Sequence, residues 1–314
     1  MNKNVTMWGN KPYFSLDYFC KQKYNEKLYK IALDAGFTCP NRDGTLDTRG
    51  CIFCSAGGSG DFAVKSANKT IHEQIIEGIS LFHNKKIGNH FIAYFQAYTN
   101  TYGSYEYLKG IYTQALSEEL ISGISIATRP DCLSPQVLSL LNDLKKEFPE
   151  KFIWVELGLQ TIHESTARFI RRGYSLDIFD KAVNNLNKIS IPIIVHIILG
   201  LPNETKEMII NTIDYVNQCP ISGIKLQLLH VLKGTDLADL YSKKSYHVLS
   251  IDEYINILIS CIQKLSPDIV IHRLTGDGPK DILIAPLWSL NKRNVLNTIH
   301  KKMNDQNAYQ GQYY

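Results

Sequence analysis

The chain has 314 residues, 44% of them hydrophobic and 20% charged, enough for one large globular domain with a substantial buried core. Arg and Lys exceed Asp and Glu by 34 − 30 = 4, a mildly basic balance that admits a nucleic-acid partner without requiring one. No apolar run reaches membrane-spanning length, and the opening "MNKNVTMWGNKPYF" lacks an apolar signal core, so a cytoplasmic location is expected.

Along the chain, the first segment interleaves Trp8, Tyr13, Phe14, Tyr18 and Phe19 with Lys3, Lys11, Lys21, Lys23, Lys27 and Lys30. Aromatic residues among lysines stack bases and contact phosphates, but the same strip would serve to cap a barrel, and both readings stand. "KLYKIALDAG" (27–36) reads as a first strand and runs into "CPNRDGTLDTRGCIFCS" (39–55). Five further β-branched runs read as buried strands: 89–99, 123–128, 151–160, 191–200 and 223–232. Amphipathic segments at about 70–84, 104–120, 134–147, 163–171, 176–188, 204–217 and 251–265 are expected to be helices. Ser134 before Pro135, and Asn203-Glu204 after Pro202, are helix-start signals. The tail "KKMNDQNAYQGQYY" is polar and is expected to be loosely held.

Repeated strand–helix units imply an α/β protein with a parallel sheet. Six of them favour a closed or partly closed β/α barrel, with a doubly wound open sheet as the second choice. In either architecture the chemistry gathers at the carboxyl ends of the strands. The unusual residues fall there: the cysteine loop, Gln96, Arg129 with Asp131, Gln160 and Gly200.

Seven cysteines, an odd number in a long chain with no export signal, argue little for disulfides. Cys219 and Cys261 sit among apolar residues and read as buried thiols. Cys39, Cys51 and Cys54 are different, with eleven and then two residues between them. A structural zinc site usually has four protein ligands in two paired knuckles. A redox Cys-x-x-Cys pair leaves Cys39 unexplained. A [4Fe–4S] cluster with three cysteine ligands leaves one iron open to a further ligand. Spacing alone leaves the cluster, zinc and no metal all open.

The stretch resembles the cluster loop of the radical S-adenosylmethionine (SAM) superfamily, whose common form is Cys-x3-Cys-x2-Cys with an aromatic residue before the last Cys. "CIFC" keeps that form, with Phe53 in the aromatic place; the first gap is expanded to eleven. The expanded gap after "TCPNRDG" resembles the YhcC/YtqA-type subgroup, which is related to the catalytic subunit of Elongator. Further likenesses follow in chain order: "SIATRPDCL" (125–133), "VELGLQTIHESTARFIRRGYS" (155–175), "HIILGLPNET" (196–205) and "GIKLQLLHVLKGT" (223–235). Asn203 replaces the usual Gly of "GLPGET", and Phe95-Gln96-Ala97 replaces the "GGE" that meets the SAM methionyl group.

The resemblance implies a partial (β/α)6 TIM-like barrel. Residues 25–275 would form its core, residues 1–24 an amino-terminal extension packed on the barrel, and residues 276–314 a carboxy-terminal extension. It implies one [4Fe–4S] cluster on Cys39, Cys51 and Cys54, with SAM on the open iron, cleaved to a 5′-deoxyadenosyl radical by an electron from a donor such as flavodoxin or ferredoxin. Phe53, Gln96, Arg129, Asp131, Gln160, Arg172, His196 and Gly200 are the candidate cofactor contacts. Several have a second reading from the residues themselves: Phe53 as loop packing, His196 as a core histidine, Arg168, Arg171 and Arg172 as a solvated helix face. Cys132 is a candidate redox or hydrogen-atom donor, or a buried thiol.

The kinship with Elongator points to tRNA as substrate and to the C5 side chain of the wobble uridine. A chain of 314 residues is not expected to carry Elongator's acetyltransferase domain as well. The YtqA-type likeness implies remodelling of an existing side chain, carboxymethylaminomethyl-uridine towards aminomethyl-uridine. Two alternatives stand beside it: the same catalyst on a small metabolite or protein, and a zinc-stabilised binding module without catalysis.

Overall fold

The computed structural model describes residues 7–58, 60–63, 69–82 and 88–314. Seven strands form one parallel sheet: β1 (Tyr29–Leu33), β2 (Phe91–Phe95), β3 (Ile121–Thr128), β4 (Phe152–Gln160), β5 (Ile193–Leu199), β6 (Gly223–Leu228) and β8 (Val270–Arg273). Their spatial order is their chain order, and β1 and β8 are the unpaired edges. The sheet therefore curls as a half-barrel, open between its first and last strands. This is the partial TIM-like barrel expected, with a seventh strand that the sequence pattern did not mark. Between β6 and β8 the short β7 (Val231–Leu232) pairs antiparallel with β9 (Leu283–Ala285).

Strand alternation divides the barrel wall into two faces. In β4, Ile153, Val155, Leu157 and Leu159 belong to the large apolar layer between the sheet and the outer helices. The intervening Phe152, Trp154, Glu156, Gly158 and Gln160 face the lumen. Helices α2 (Ile71–Ser80), α3 (Tyr105–Ser117), α4 (Pro135–Glu147), α5 (Glu164–Phe169), α6 (Leu176–Lys188), α7 (Lys206–Val216) and α9 (Ile251–Lys264) lie close to the expected segments. Residues 83–84 of the first expected segment lie outside the described residues. The start signals act as read: Ser134 Oγ accepts from the Val137 amide at the head of α4, and Thr205 Oγ1 accepts from Met208 at the head of α7. Asn203 has φ +66°, so it stands for glycine in a left-handed turn that asparagine tolerates better than most residues.

Three helices were not foreseen: α1 (Leu16–Tyr24), α8 (Asp236–Ser242) and α10 (Lys292–Asp305). Helix α1 closes the barrel floor, where Phe19, Cys20 and Tyr24 pack with Ile92, Phe152, Trp154 and Ile194. Much of the aromatic strip is therefore a cap: Tyr13 is buried with its hydroxyl 3.0 Å from His300 Nε2, and Phe19 meets Trp154 at 6.2 Å. Lys30 belongs to the lumen rather than to a basic surface, and Lys3 lies outside the described residues.

The tail is docked, not loose. Met303, Ala308 and Gln310 are buried. Gln310 Nε2 donates to the carbonyls of Ser266 (2.6 Å) and Ile269 (2.8 Å), and its Oε1 accepts from the Phe14 amide at 2.8 Å.

Candidate active site

The eleven-residue gap between Cys39 and Cys51 is a closed excursion. Leu46 and Asp47 donate from their amides to the Pro40 carbonyl (2.8 and 3.3 Å), and Gly50 N donates to Asn41 O at 2.7 Å. With Asn41 and Gly50 paired at its base, only Pro40, Asn41 and Gly50 bridge the two cysteines. The expanded spacing thus collapses to a three-residue one.

That base is fixed from the strand β4 side. Asn41, buried, donates to the carbonyls of Arg171 (2.7 Å) and Arg172 (3.3 Å) and reaches Cys51 Sγ at 3.6 Å. Arg171 Nε donates to Gly50 O at 2.8 Å. Gly50 has φ +76°, and a Cβ there would strike the Arg42 guanidinium at 2.9 Å, so glycine is required. Arg42 in turn donates to the carbonyls of Cys54 (2.7 Å) and Ser55 (2.6 Å).

Cys39, Cys51 and Cys54 line one cavity of about 280 Å³ at the carboxyl ends of the strands, near the lower end of the range for ligand sites. Burial pushes the Cys51 thiol up to about 12, with the neighbouring Cys54 adding to it, and burial also raises Cys54. The Cys51 and Cys54 thiols hold their protons at neutral pH, so a thiophilic metal group must displace them. Among the described residues no three His, Cys, Asp or Glu side chains converge tightly enough for one metal ion. Three thiols lining one cavity are a soft donor set suited to a thiophilic metal group.

Phe53, Gln96, Arg129, Gln160, Arg172 and His196 line the same cavity. Gln160 ends β4 at φ +65°, beside a register shift after Gly158, and its Oε1 is buried without a partner. A strained residue presenting an orphan acceptor is where a ligand donor is wanted. Arg129 stands 4.9 Å over the Tyr174 ring and is gripped by Asp131 at 2.9 and 2.7 Å. Burial works against its charge, but Asp131 outweighs this and raises its pKa.

Arg172 is not on a solvated face: it is fully buried, donating to the carbonyls of Tyr174, Leu159 and Thr161 and to Glu164. Four of its five donors are spent on the protein, which makes it a brace for the β4 terminus.

Three candidates lie off the cavity lining. Asp131 is exposed and acts through Arg129. Gly200 makes a turn at φ +89° whose missing Cβ would meet Leu249 Cδ1 at 2.9 Å, and its carbonyl accepts from Tyr246 at 2.7 Å. Cys132 sits beside Asp131 at 3.9 Å, its thiol pushed up to about 12 by burial and then by Asp131.

Below the cysteines lies a polar layer that the sequence reading missed. Glu156, fully buried, is bonded to Lys30, Lys225, Ser125 (2.7 Å) and His196 Nε2 (2.7 Å). Lys225 Nζ donates to Tyr94 OH at 3.0 Å, and Gln227 reaches His196 Nδ1 at 3.3 Å. Burial would raise the Glu156 carboxyl, but Lys225 and Lys30 outweigh it and hold it well below the usual range. Burial, then Lys225, lowers His196 to about 4, leaving it neutral at pH 7. The signal was present: one polar residue interrupts each of the apolar runs "LYKIAL", "IWVEL", "IIVHII" and "GIKL", at lumen-facing parity.

The family model for the "Radical SAM superfamily" matches residues 48–216, and that for the "Radical_SAM C-terminal domain" matches residues 221–305. The chain belongs to the radical SAM superfamily. It is a radical SAM enzyme, and membership implies a [4Fe–4S] cluster, SAM and an electron donor. It is 41% identical over 316 residues to the uncharacterized protein YtqA of Bacillus subtilis (strain 168), covering 100% of this chain and 97% of that one. It is 25% identical over 191 residues to a tRNA uridine(34) acetyltransferase of Methanocaldococcus jannaschii, covering 60% of this chain and 34% of that protein. Among solved structures it resembles the archaeal Methanocaldococcus infernus Elp3 with a TM-score of 0.68 at 16% identity, covering 90% of this chain and 64% of that one; this likeness concerns the fold. No helix among the described residues is long and apolar enough to cross a membrane.

Proposed function

We propose that Cys39, Cys51 and Cys54 hold a single [4Fe–4S] cluster over the mouth of the half-barrel, and that the enzyme remodels the C5 side chain of the wobble uridine in tRNA. The observation that carries the cluster assignment is the excursion base, which brings an eleven-residue gap back to a three-residue bridge. When bound, the cluster and SAM supply one-electron reductive cleavage of the carbon–sulfur bond and, through it, hydrogen-atom abstraction.

The chain's own residues hold and enclose these groups. Phe53 offers a ring to the adenine. Gln160 Oε1 and the Gln96 amide would meet the ribose and methionyl groups. Arg129, fixed by Asp131, presents charge beside Cys39 at 3.9 Å, and Arg172 keeps the end of β4 in place. Neutral His196 and the layer around Glu156 form the lumen in which a substrate group would sit, away from water. Support for tRNA is the kinship with a uridine-34 enzyme, of which this chain spans about a third.

Purification without oxygen tests the metal group: about four iron and four sulfide per chain are expected, and Cys51→Ala should lose them. A colourless protein carrying stoichiometric zinc would refute the cluster. For the substrate, wobble nucleosides are compared in tRNA from cells with and without the gene. Carboxymethylaminomethyl-uridine should accumulate without it; unchanged wobble uridines reject tRNA.

A further inference from the structure

The gap between β1 and β8 opens into a second cavity, of about 700 Å³. It shares Tyr94, Gln96, Arg273 and Asp277 with the cavity beneath the cysteines, so the two are continuous. Its charge is lopsided. Lys30, Lys225, Arg273, Lys280 and Lys292 line it, and Asp277 is the one acid among the described lining residues. Asp277 is already shared between Lys292 (2.8 Å) and Arg273 (3.6 Å).

The inner end of this opening is the layer around Glu156. One carboxylate there lies between two lysine amines; burial, with Lys30 adding to it against the pull of Glu156, holds Lys225 well below the usual lysine range, so an entering anion would meet a second amine ready to take up a proton. An ammonium has three donors. Lys30 spends two, on Glu156 and Ser125, and Lys225 spends two, on Glu156 and Tyr94. When protonated, each keeps one donor without a hydrogen-bond acceptor among the described residues, and both amines lie over the Tyr94 ring, at 4.5 and 4.4 Å. His272, on the same wall, has a buried Nδ1 with no partner. A buried amine is costly to charge unless an anion meets it, and a structural ion pair would need only one lysine.

We infer that the lumen holds an anion subsite, in which the unspent donors of Lys30 and Lys225 receive a carboxylate of the substrate entering through the β1/β8 gap. Lys225 is buried and Lys30 nearly so, so the subsite suits a small anionic group at the end of a side chain rather than a backbone phosphate. Lys280 and Lys292, exposed at the rim of the gap, favour approach of an anionic carrier. The inference rests on the wobble-uridine reading for the identity of that group: the glycine-like carboxylate of the carboxymethylaminomethyl side chain, which the aminomethyl form lacks.

The test uses the cluster-loaded protein with SAM and two labelled anticodon stem–loops, one bearing each side chain. Wild-type protein should prefer the carboxylate-bearing RNA by roughly tenfold or more, the worth of a charge-assisted hydrogen bond. Lys225→Met should bring the preference close to one, by weakening the carboxylate-bearing RNA. Lys30→Gln, in a partly exposed position, gives a second variant if Lys225→Met fails to fold. Equal binding of both RNAs by wild type, or a preference that survives both substitutions, overturns the subsite. If neither RNA binds, the tRNA reading falls and the subsite is judged alone, by thermal shift with N-methylglycine against methylamine. A shift with the acid only, lost in Lys225→Met, upholds it; no shift in wild type overturns it.

Discussion

Glu156 is the residue on which the lumen's electrostatics turn, because it neutralises part of the charge of two lysines at once. Glu156→Gln keeps the shape but leaves both ammonium groups without a carboxylate. Breaking a buried pair from one side costs about 3–5 kcal/mol, so urea unfolding should show a loss of that order; an unchanged midpoint would mean that water already screens the layer. His196 adds a pH dependence. Its pKa is about 4 in the fold against 6.5 unfolded, chiefly through burial. Between those values the unfolded chain binds the proton and the native one does not. Stability is therefore complete above pH 6.5 and declines as pH falls towards 4, at up to about 1.4 kcal/mol per pH unit for this one group. His196→Gln should remove that share of the slope in urea melts taken from pH 7 to pH 4.5, a range above the ordinary titration of Glu156.

At the scale of elements, the excursion over residues 42–49 explains how a long gap and a short one come to present the same thiol spacing. Its base matters and its tip does not. Replacing residues 43–49 with two glycines, with Arg42 kept on the Cys54 and Ser55 carbonyls, should leave iron per chain near the wild-type value. Asn41→Ala takes one donor from each of the Arg171 and Arg172 carbonyls, leaving them the Cys51 thiol and Arg129 Nη1, at a cost of about 1 kcal/mol, and should lower the iron retained after gel filtration. The opposite ranking of the two variants would show that the tip itself shapes the cysteine loop. Elements that escaped the sequence reading did so for local reasons. Strand β8 has four residues and two histidine–arginine positions in its "VIHR", too short for alternation to speak. Helix α10 buries only Val295, Ile299 and Met303, one residue per turn, on an otherwise polar surface. In α1 the aromatic residues were legible but not their direction, and the floor they seal lies on strands more than sixty residues away.

For the whole molecule, the two chain ends are stitched together across the end of the sheet. Gln310 ties the amide of Phe14 to the carbonyls of Ser266 and Ile269, and Ile271 N donates to Phe14 O at 2.7 Å beside the β8 edge. Gln310→Ala takes the side-chain partner from the Phe14 amide and the Ile269 carbonyl and leaves the Ser266 carbonyl with the Ile269 amide, and should cost about 2 kcal/mol in a single cooperative denaturant transition. A loss near zero would restore the picture of a loose tail.

Sequence by itself determined the strand–helix alternation, the six longer strands, the three clustered thiols and the polar residue set into each lumen-facing run, because each is a matter of local period and spacing. Strand-end position put Gly200 among the site candidates and its thiol put Cys132 there; the structure holds both off the cavity lining, since a turn glycine packed on Leu249 looks no different in sequence from one beside a ligand. Only the tertiary structure decided that the sheet stays open between β1 and β8, that Asn41 and Gly50 close the cysteine gap, and that Lys30 and Lys225 share one carboxylate. Those are contacts between residues up to 195 positions apart, Lys30 to Lys225; curvature and register fix them, and no window of sequence contains both partners.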